Sequence, residues 1–346
     1  MAEPESNSTA PTVFDGNLTN VRWNVLAGLR IFTCTTTIWL NVALLSVFIV
    51  TKKLHTPFNT YLINLLIADI AYLTLSSFQG VIEWLKPNWW GGVTLCCLYK
   101  YGINTPAACM VWAQVLVTVN RLWAVTFPHS YRTRHTTRWA VGACVAMWAV
   151  MHLFYAPYLI MDVWRYPLPG PLYGCRINAD AQPVYVRIIF VSMADFPVLF
   201  IVATYPYLLW KTVKRNRCLA VSSRRISAAF IPAPCGRPLD KEHRTAFLVL
   251  TLLTISVIIF LSPLPLVLMI GQATHVLAPG ASFRATLWLL EIQAAADTVI
   301  IFVSVKDLRE TISQALCVKR HATDRRFSRN NVNQVAHSPM VIIHGR

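Results

Sequence analysis

Long apolar runs alternate with short polar segments along this chain, and seven of the runs reach the roughly 20 residues a helix needs to cross a bilayer core. They fall near 27–50, 57–84, 95–119, 138–161, 184–210, 245–271 and 283–304. In lipid every backbone group must find its partner within the segment, so the pattern predicts an all-α membrane protein, a bundle of seven transmembrane helices. The third run carries Lys100, Asn104, Thr105 and Gln114, which lipid would not accept, and is expected to pass through the middle of the bundle. After the seventh run, Leu308, Ile312 and Leu316 recur every four residues and predict a short amphipathic helix on the membrane surface. Cys317 follows directly and is a candidate acylation anchor.

Composition sharpens this picture. Of the 346 residues 55% are hydrophobic and only 13% charged, about half the roughly 25% of a soluble domain. With the amino terminus outside, 23 of the 31 Lys and Arg fall in the inner segments, the bias that keeps loops in the cytoplasm. The net charge of +16 then needs no nucleic acid, because basic inner loops face anionic membrane lipid. Residues 1–26 contain Glu3, Glu5 and Asp15 without an apolar core, so no cleavable signal peptide is expected and the first span directs its own insertion. The same stretch holds two glycosylation acceptors, Asn7 and Asn17. Three regions are expected: an extracellular amino terminus (1–26), a seven-helix domain with its surface helix (27–317), and a largely disordered cytoplasmic tail (318–346). Of nine cysteines only Cys96, Cys97 and Cys175 map to the oxidising side, which suggests one disulfide from Cys175 to one of the adjacent pair.

Landmarks inside the spans narrow the class. Asn41 lies in "LNVALLSVFIV", Asp69 in "NLLIADIAY", and Trp89-Trp90 precede a glycine pair; Cys96 opens span three and Arg121 closes it 25 residues later. Trp148, Pro197, Tyr205 and Pro263 mark spans four to six, and Leu308-Arg309 begins the surface helix. In this order they resemble the rhodopsin-like, class A family of G-protein-coupled receptors, over about Trp23 to Cys317. The resemblance implies a plasma-membrane receptor, not an enzyme, that transmits an extracellular ligand to a heterotrimeric G protein.

Three motifs depart from the family's pattern. Asn120-Arg121-Leu122 replaces Asp-Arg-Tyr, Phe260-Leu261-Ser262-Pro263 replaces Cys-Trp-x-Pro, and Asp297-Thr298-Val299-Ile300-Ile301 replaces Asn-Pro-x-x-Tyr. In the family, an acid beside the arginine and another near the start of span six hold it at rest. Here the first is Asn120 and the second position is His243, with Glu242 beside it. A loosely held resting state and raised basal activity are expected, with Tyr205 as the partner of Arg121 in the active form. "WAVTFPHSY" is the inner loop against the G protein, turned by Pro128.

The resemblance also groups Asp69 and Asp297 in one polar pocket with Asn41 and Gln293. Two carboxylates so close share a proton or hold a sodium ion. Met110 stands where the family offers a hydroxyl, which leans the reading toward the proton. Toward the outer face, Glu83, Lys100, Ile103, Asn104, Arg187, Asp195, Leu261 and Glu291 form the candidate ligand cleft, with Lys100 also able to pair with Glu83 or Glu291. Ile103 occupies the position of the amine-binding aspartate of monoamine receptors and Glu291 that of the retinal lysine, so monoamines and covalent retinal are both disfavoured.

Rival classes have weaker support. A seven-span zinc hydrolase needs converging histidines, and only His152 lies well inside a span. Carriers show paired half-repeats with broken helices, which are missing from this sequence. The closest rival is a receptor of the same fold that serves as a decoy, scavenger or partner subunit without coupling, for which the three altered motifs speak.

Overall fold

The computed structural model describes residues 18–85, 92–164, 183–225, 241–274 and 280–314. All regular structure among them is helical, and seven helices are long and apolar enough to cross a membrane. Span one is Leu18–Val50, span two Pro57–Leu85, span three Gly92–Thr126 and span four Thr137–Trp164. Span five runs through Pro183–Phe190, a π-helical segment Val191–Asp195, and Phe196–Arg225. Span six has the same build, Lys241–Ser256, a π segment Val257–Leu261, and Pro263–Thr274, and span seven is Gly280–Ser304.

The helices overrun the apolar stretches from which they were read. Span one begins at Leu18, within the stretch assigned to the amino terminus, and span five continues to Arg225. Backbone hydrogen bonding does not stop at the hydrocarbon boundary, so polar flanks of good helix formers prolong each span. The inner segment between spans three and four is also helical, from Pro128 to Arg134, with Pro128 at the first position. A proline costs nothing there because that N–H has no helical partner, so the residue expected to turn the chain starts a helix instead.

The burial pattern is that of a protein solvated by lipid. Phe32, Trp39, Leu153 and Leu199 are each at least 68% exposed, while Arg30, Asn41, Asp69, Gln114, Arg121, Glu291 and Asp297 are buried. Polar side chains line the axis because lipid would leave them unsatisfied. Cross-helix bonds fix the packing: Trp148 Nε1 donates to Asn64 Oδ1 at 2.9 Å, tying span four to span two. Tyr99 donates to the Leu75 carbonyl at 3.2 Å and Tyr185 to that of Phe154 at 3.0 Å. Residues 306–314 form the expected surface helix, with Leu308 fully buried and Asp307 paired with Lys53 at 3.2 Å. Leu316 and Cys317 lie outside the described residues, as do Asn7, Asn17 and Cys175.

Candidate functional site

At the inner end of span three, Arg121 is 4% exposed and its guanidinium lies 3.7 Å from the centroid of the Phe58 ring. Phe58 is held in place by the first turn of span two, where Asn59 Nδ2 donates to the Leu54 carbonyl at 2.8 Å. Arg121, whose chain neighbours Asn120 and Leu122 are uncharged, has a π face to rest on, an attraction of about 0.5–2 kcal/mol. Asn120 is buried with neither side-chain atom hydrogen-bonded among the described residues, and Leu122 is half-buried. Tyr205 donates to Thr251 Oγ1 at 3.4 Å, joining spans five and six. Glu242 and His243 sit in the first turn of span six, and their side chains are outside the description.

Inner-loop aromatics close around this arginine. The His135 ring stacks on Tyr131 with centroids 4.3 Å apart, lies parallel to Tyr61 at 5.9 Å, and meets Trp123 edge-on at 5.8 Å. Burial and the Arg121 charge push the His135 imidazole from 6.5 down to about 4. It is neutral at neutral pH and adds no second cation beside Arg121.

Midway across the bundle, Asn41, Asp69, Gln293 and Asp297 are all 0% exposed. Asp297 takes a donor on each oxygen: Gln114 Nε2 to Oδ2 at 2.6 Å and Gln293 Nε2 to Oδ1 at 2.7 Å. Gln293 Nε2 also reaches Ser256 Oγ at 3.0 Å. Asn41 spends its amide on the Thr37 carbonyl at 3.0 Å. Asp69 lies within electrostatic range of Asp297, yet neither of its oxygens has a hydrogen-bond partner among the described residues. Asn41 Oδ1, Gln114 Oε1 and Gln293 Oε1 are likewise unpartnered. A buried carboxylate without donors is costly, and a set of bare oxygens is the donor chemistry that a hard cation takes.

In the outer half, the structure corrects the pairing expected for span seven. Glu291 meets Arg30 of span one, not Lys100: Arg30 Nη2 and Nε donate to Glu291 Oε1 at 2.6 and 3.0 Å. Ser76 of span two donates to the same oxygen and accepts from Arg30 Nη2 at 3.2 Å. The pair is fully enclosed, with side chains 3% and 0% exposed. Lys100 lies over the Tyr99 ring at 5.8 Å, and Asn104 donates to the Lys100 carbonyl at 2.7 Å. Ile103 and Leu261 are buried, Asp195 is half-buried at the end of the span-five π segment, and Arg187 is exposed. The Glu83 side chain lies outside the description. Cys96 is disulfide-bonded to a partner outside the described residues, and Cys97 is a buried thiol.

Several residues that complete these clusters carried only a faint mark in the sequence. Arg30 was visible as a charge inside an apolar run, and such a charge demands an opposite partner. Gln114 was visible as a polar residue of span three. Phe58, Ser76, His135 and Ser256 had no signal, since each is an ordinary residue type at its place.

Comparison with known proteins agrees with the geometry. The sequence model of the seven-transmembrane receptors of the rhodopsin family matches residues 40–300. Dopamine receptor 2 of Drosophila melanogaster is 26% identical over 217 residues, 61% of this chain and 39% of that one. 5-hydroxytryptamine receptor 1B of Didelphis virginiana is 24% identical over 155 residues, 45% and 39% of the two chains. Trace amine-associated receptor 5 of Homo sapiens is 21% identical over 273 residues, covering 78% of this chain and 77% of the relative. The chain thus spans about two fifths of the first two relatives and about three quarters of the third.

Proposed function

We propose that this chain, which belongs to the rhodopsin family of seven-transmembrane receptors, binds a small extracellular molecule in its outer cleft and couples to a heterotrimeric G protein at its inner face. Arg121 carries this reading: it is buried at the inner end of span three with its guanidinium against the Phe58 ring. The neutral Asn120 beside it, where the family carries an acid, supports raised basal activity. Span six would pivot outward at its π segment and Pro263, opening a cavity beneath Arg121. The ligand contributes only its differential affinity for the open arrangement.

The relatives are named for dopamine, 5-hydroxytryptamine and trace amines. This chain is proposed to take something else. Ile103 offers no charge, and Glu291 is already neutralised by Arg30 at 2.6 Å, so a protonated amine would find no free carboxylate in either place. At mid-membrane, Asp69 would hold a proton or a sodium ion; the oxygens of Asp69, Asn41, Gln114 and Gln293, unpartnered among the described residues, fit the ion. We propose a plasma-membrane receptor with its amino terminus outside, glycosylated at Asn7 and Asn17, bridged from Cys96 to Cys175, and acylated at Cys317.

The test is a second-messenger assay in cells that display the receptor, with and without Arg121→Ala. Coupling predicts a basal or ligand-driven signal that this change abolishes at equal surface expression. A displayed receptor with no signal through any G-protein class would overturn the reading in favour of a decoy or partner subunit, to which the altered motifs at Asn120, Leu261 and Asp297 point.

A further inference from the structure

We infer that Gln114 is a positioning residue which, through Asp297 and Gln293, clamps span six to spans three and seven in the resting bundle. The chain of contacts is continuous and buried. Gln114 of span three donates to Asp297 Oδ2 at 2.6 Å, Gln293 donates to Asp297 Oδ1 at 2.7 Å, and the same amide reaches Ser256 of span six at 3.0 Å. Gln114 and Ser256 are 2% and 4% exposed, and Gln293 and Asp297 are 0% exposed.

Two features of placement give the clamp its function. Gln114 precedes Arg121 by seven residues, two helical turns, so both side chains lie on one face of span three about 10 Å apart. The clamp therefore sits one level above the arginine, in the wall that an opening cavity would have to part. Ser256 is the last α-helical residue before the π segment Val257–Leu261, where Ser262 N–H bonds to the Val257 carbonyl at 2.9 Å. A π turn is a recurrent place for a functional bend in a helix. The clamp grips span six just inward of that bend, on the half that must swing.

Polarity points the same way. An amide at the centre of a membrane span is costly unless its hydrogens are used, and Gln114 uses them on a carboxylate, a strong class of hydrogen bond. The acid of span seven thus constrains the resting bundle from within the membrane.

The inference rests on the proposed movement of span six, and the experiment keeps the two separable. Spin labels are attached through unnatural amino acids at Phe127 and Leu248, exposed positions near the inner ends of spans three and six, 62% and 44% accessible. Their separation is measured in the purified receptor in nanodiscs. Gln114→Leu is expected to raise the population of the longer separation by about tenfold, the loss of one charge-assisted hydrogen bond. Ser256→Ala, a milder change that cuts the last link, is expected to shift it in the same direction. The exchange Gln114→Glu with Asp297→Asn, which places the carboxylate and amide on opposite helices, is expected to restore the shorter separation. Unchanged distances in monodisperse Gln114→Leu or Ser256→Ala protein would overturn the clamp. Longer distances without a rise in basal second messenger would support the clamp and count against G-protein coupling.

Discussion

Removing Arg30 should destabilise this receptor more than the loss of any surface charge, and the structure sets the size of the effect. Arg30→Met leaves Glu291, 0% exposed, without the countercharge of Arg30 while Ser76 still donates to it. Breaking a buried pair by removing one partner costs about 3–5 kcal/mol, because the other charge stays buried and uncompensated. Replacing both members by uncharged groups of similar size costs far less, since both desolvation penalties vanish together. At about 2.1 cal/mol/K per residue, a chain of 346 residues shifts Tm by about 1.4 °C for each kcal/mol, so the single change should lower Tm by about 4–7 °C. Arg30→Met with Glu291→Gln should recover most of that. The buried thiols of Cys34, Cys97, Cys109 and Cys144 supply the assay, because a maleimide dye reacts with them only as the bundle opens. The cycle of two single variants and the double variant isolates the coupling. If Arg30→Met melts within a degree or two of wild type, or if the double variant loses the sum of the two singles, the pair does not hold spans one, two and seven together as described.

Three further outcomes follow from the inner half and the central pocket. Phe58→Leu removes the ring beneath Arg121 while keeping bulk, and basal second messenger should rise severalfold, consistent with about 1 kcal/mol of lost cation–π attraction. Asn120→Asp should lower basal signalling by returning an acid to the arginine, and an unchanged basal level would refute the loosely held resting state. His135 titrates near pH 4 in the folded protein against 6.5 otherwise, so the unfolded state binds the extra proton between these values. Thermal stability should be flat above pH 6.5 and fall as pH drops toward 4, and His135→Phe should flatten that slope; Tm measured across the range decides.

The spans were legible because each is a sustained apolar run, and the bundle axis was legible because polar residues inside such runs must face protein. The pairings were not. Arg30 and Glu291 are 261 residues apart, and an isolated charge in a span announces that it has a partner without saying which helix supplies it. The sequence left Lys100 able to pair with Glu83 or Glu291, since all three lie in the outer half, and did not point to Arg30. The contact between Arg121 and Phe58 left no mark for another reason: Phe58 carries no charge and is an ordinary apolar residue at its place. The helix from Pro128 was read as a turn because proline ends helices more visibly than it begins them. The π segments left no trace, since one extra residue in a turn barely disturbs the spacing of apolar positions.

That extra residue is taken up by a wide turn of span six. An α-helix turns by about 100° per residue, and the i→i+5 turn within Val257–Leu261 holds one residue more, so the outer half keeps nearly the facing of a plain α-helix one residue shorter. Ser256 meets the Gln293 amide from one side of it, and Leu261 is buried from the other. Deleting one residue within the π segment would return it to α geometry with both halves still facing their neighbours, whereas the same deletion in the α-helical turns would rotate the outer half by about 100°. Span six therefore tolerates a change of count in this segment far better than in the turns on either side of it.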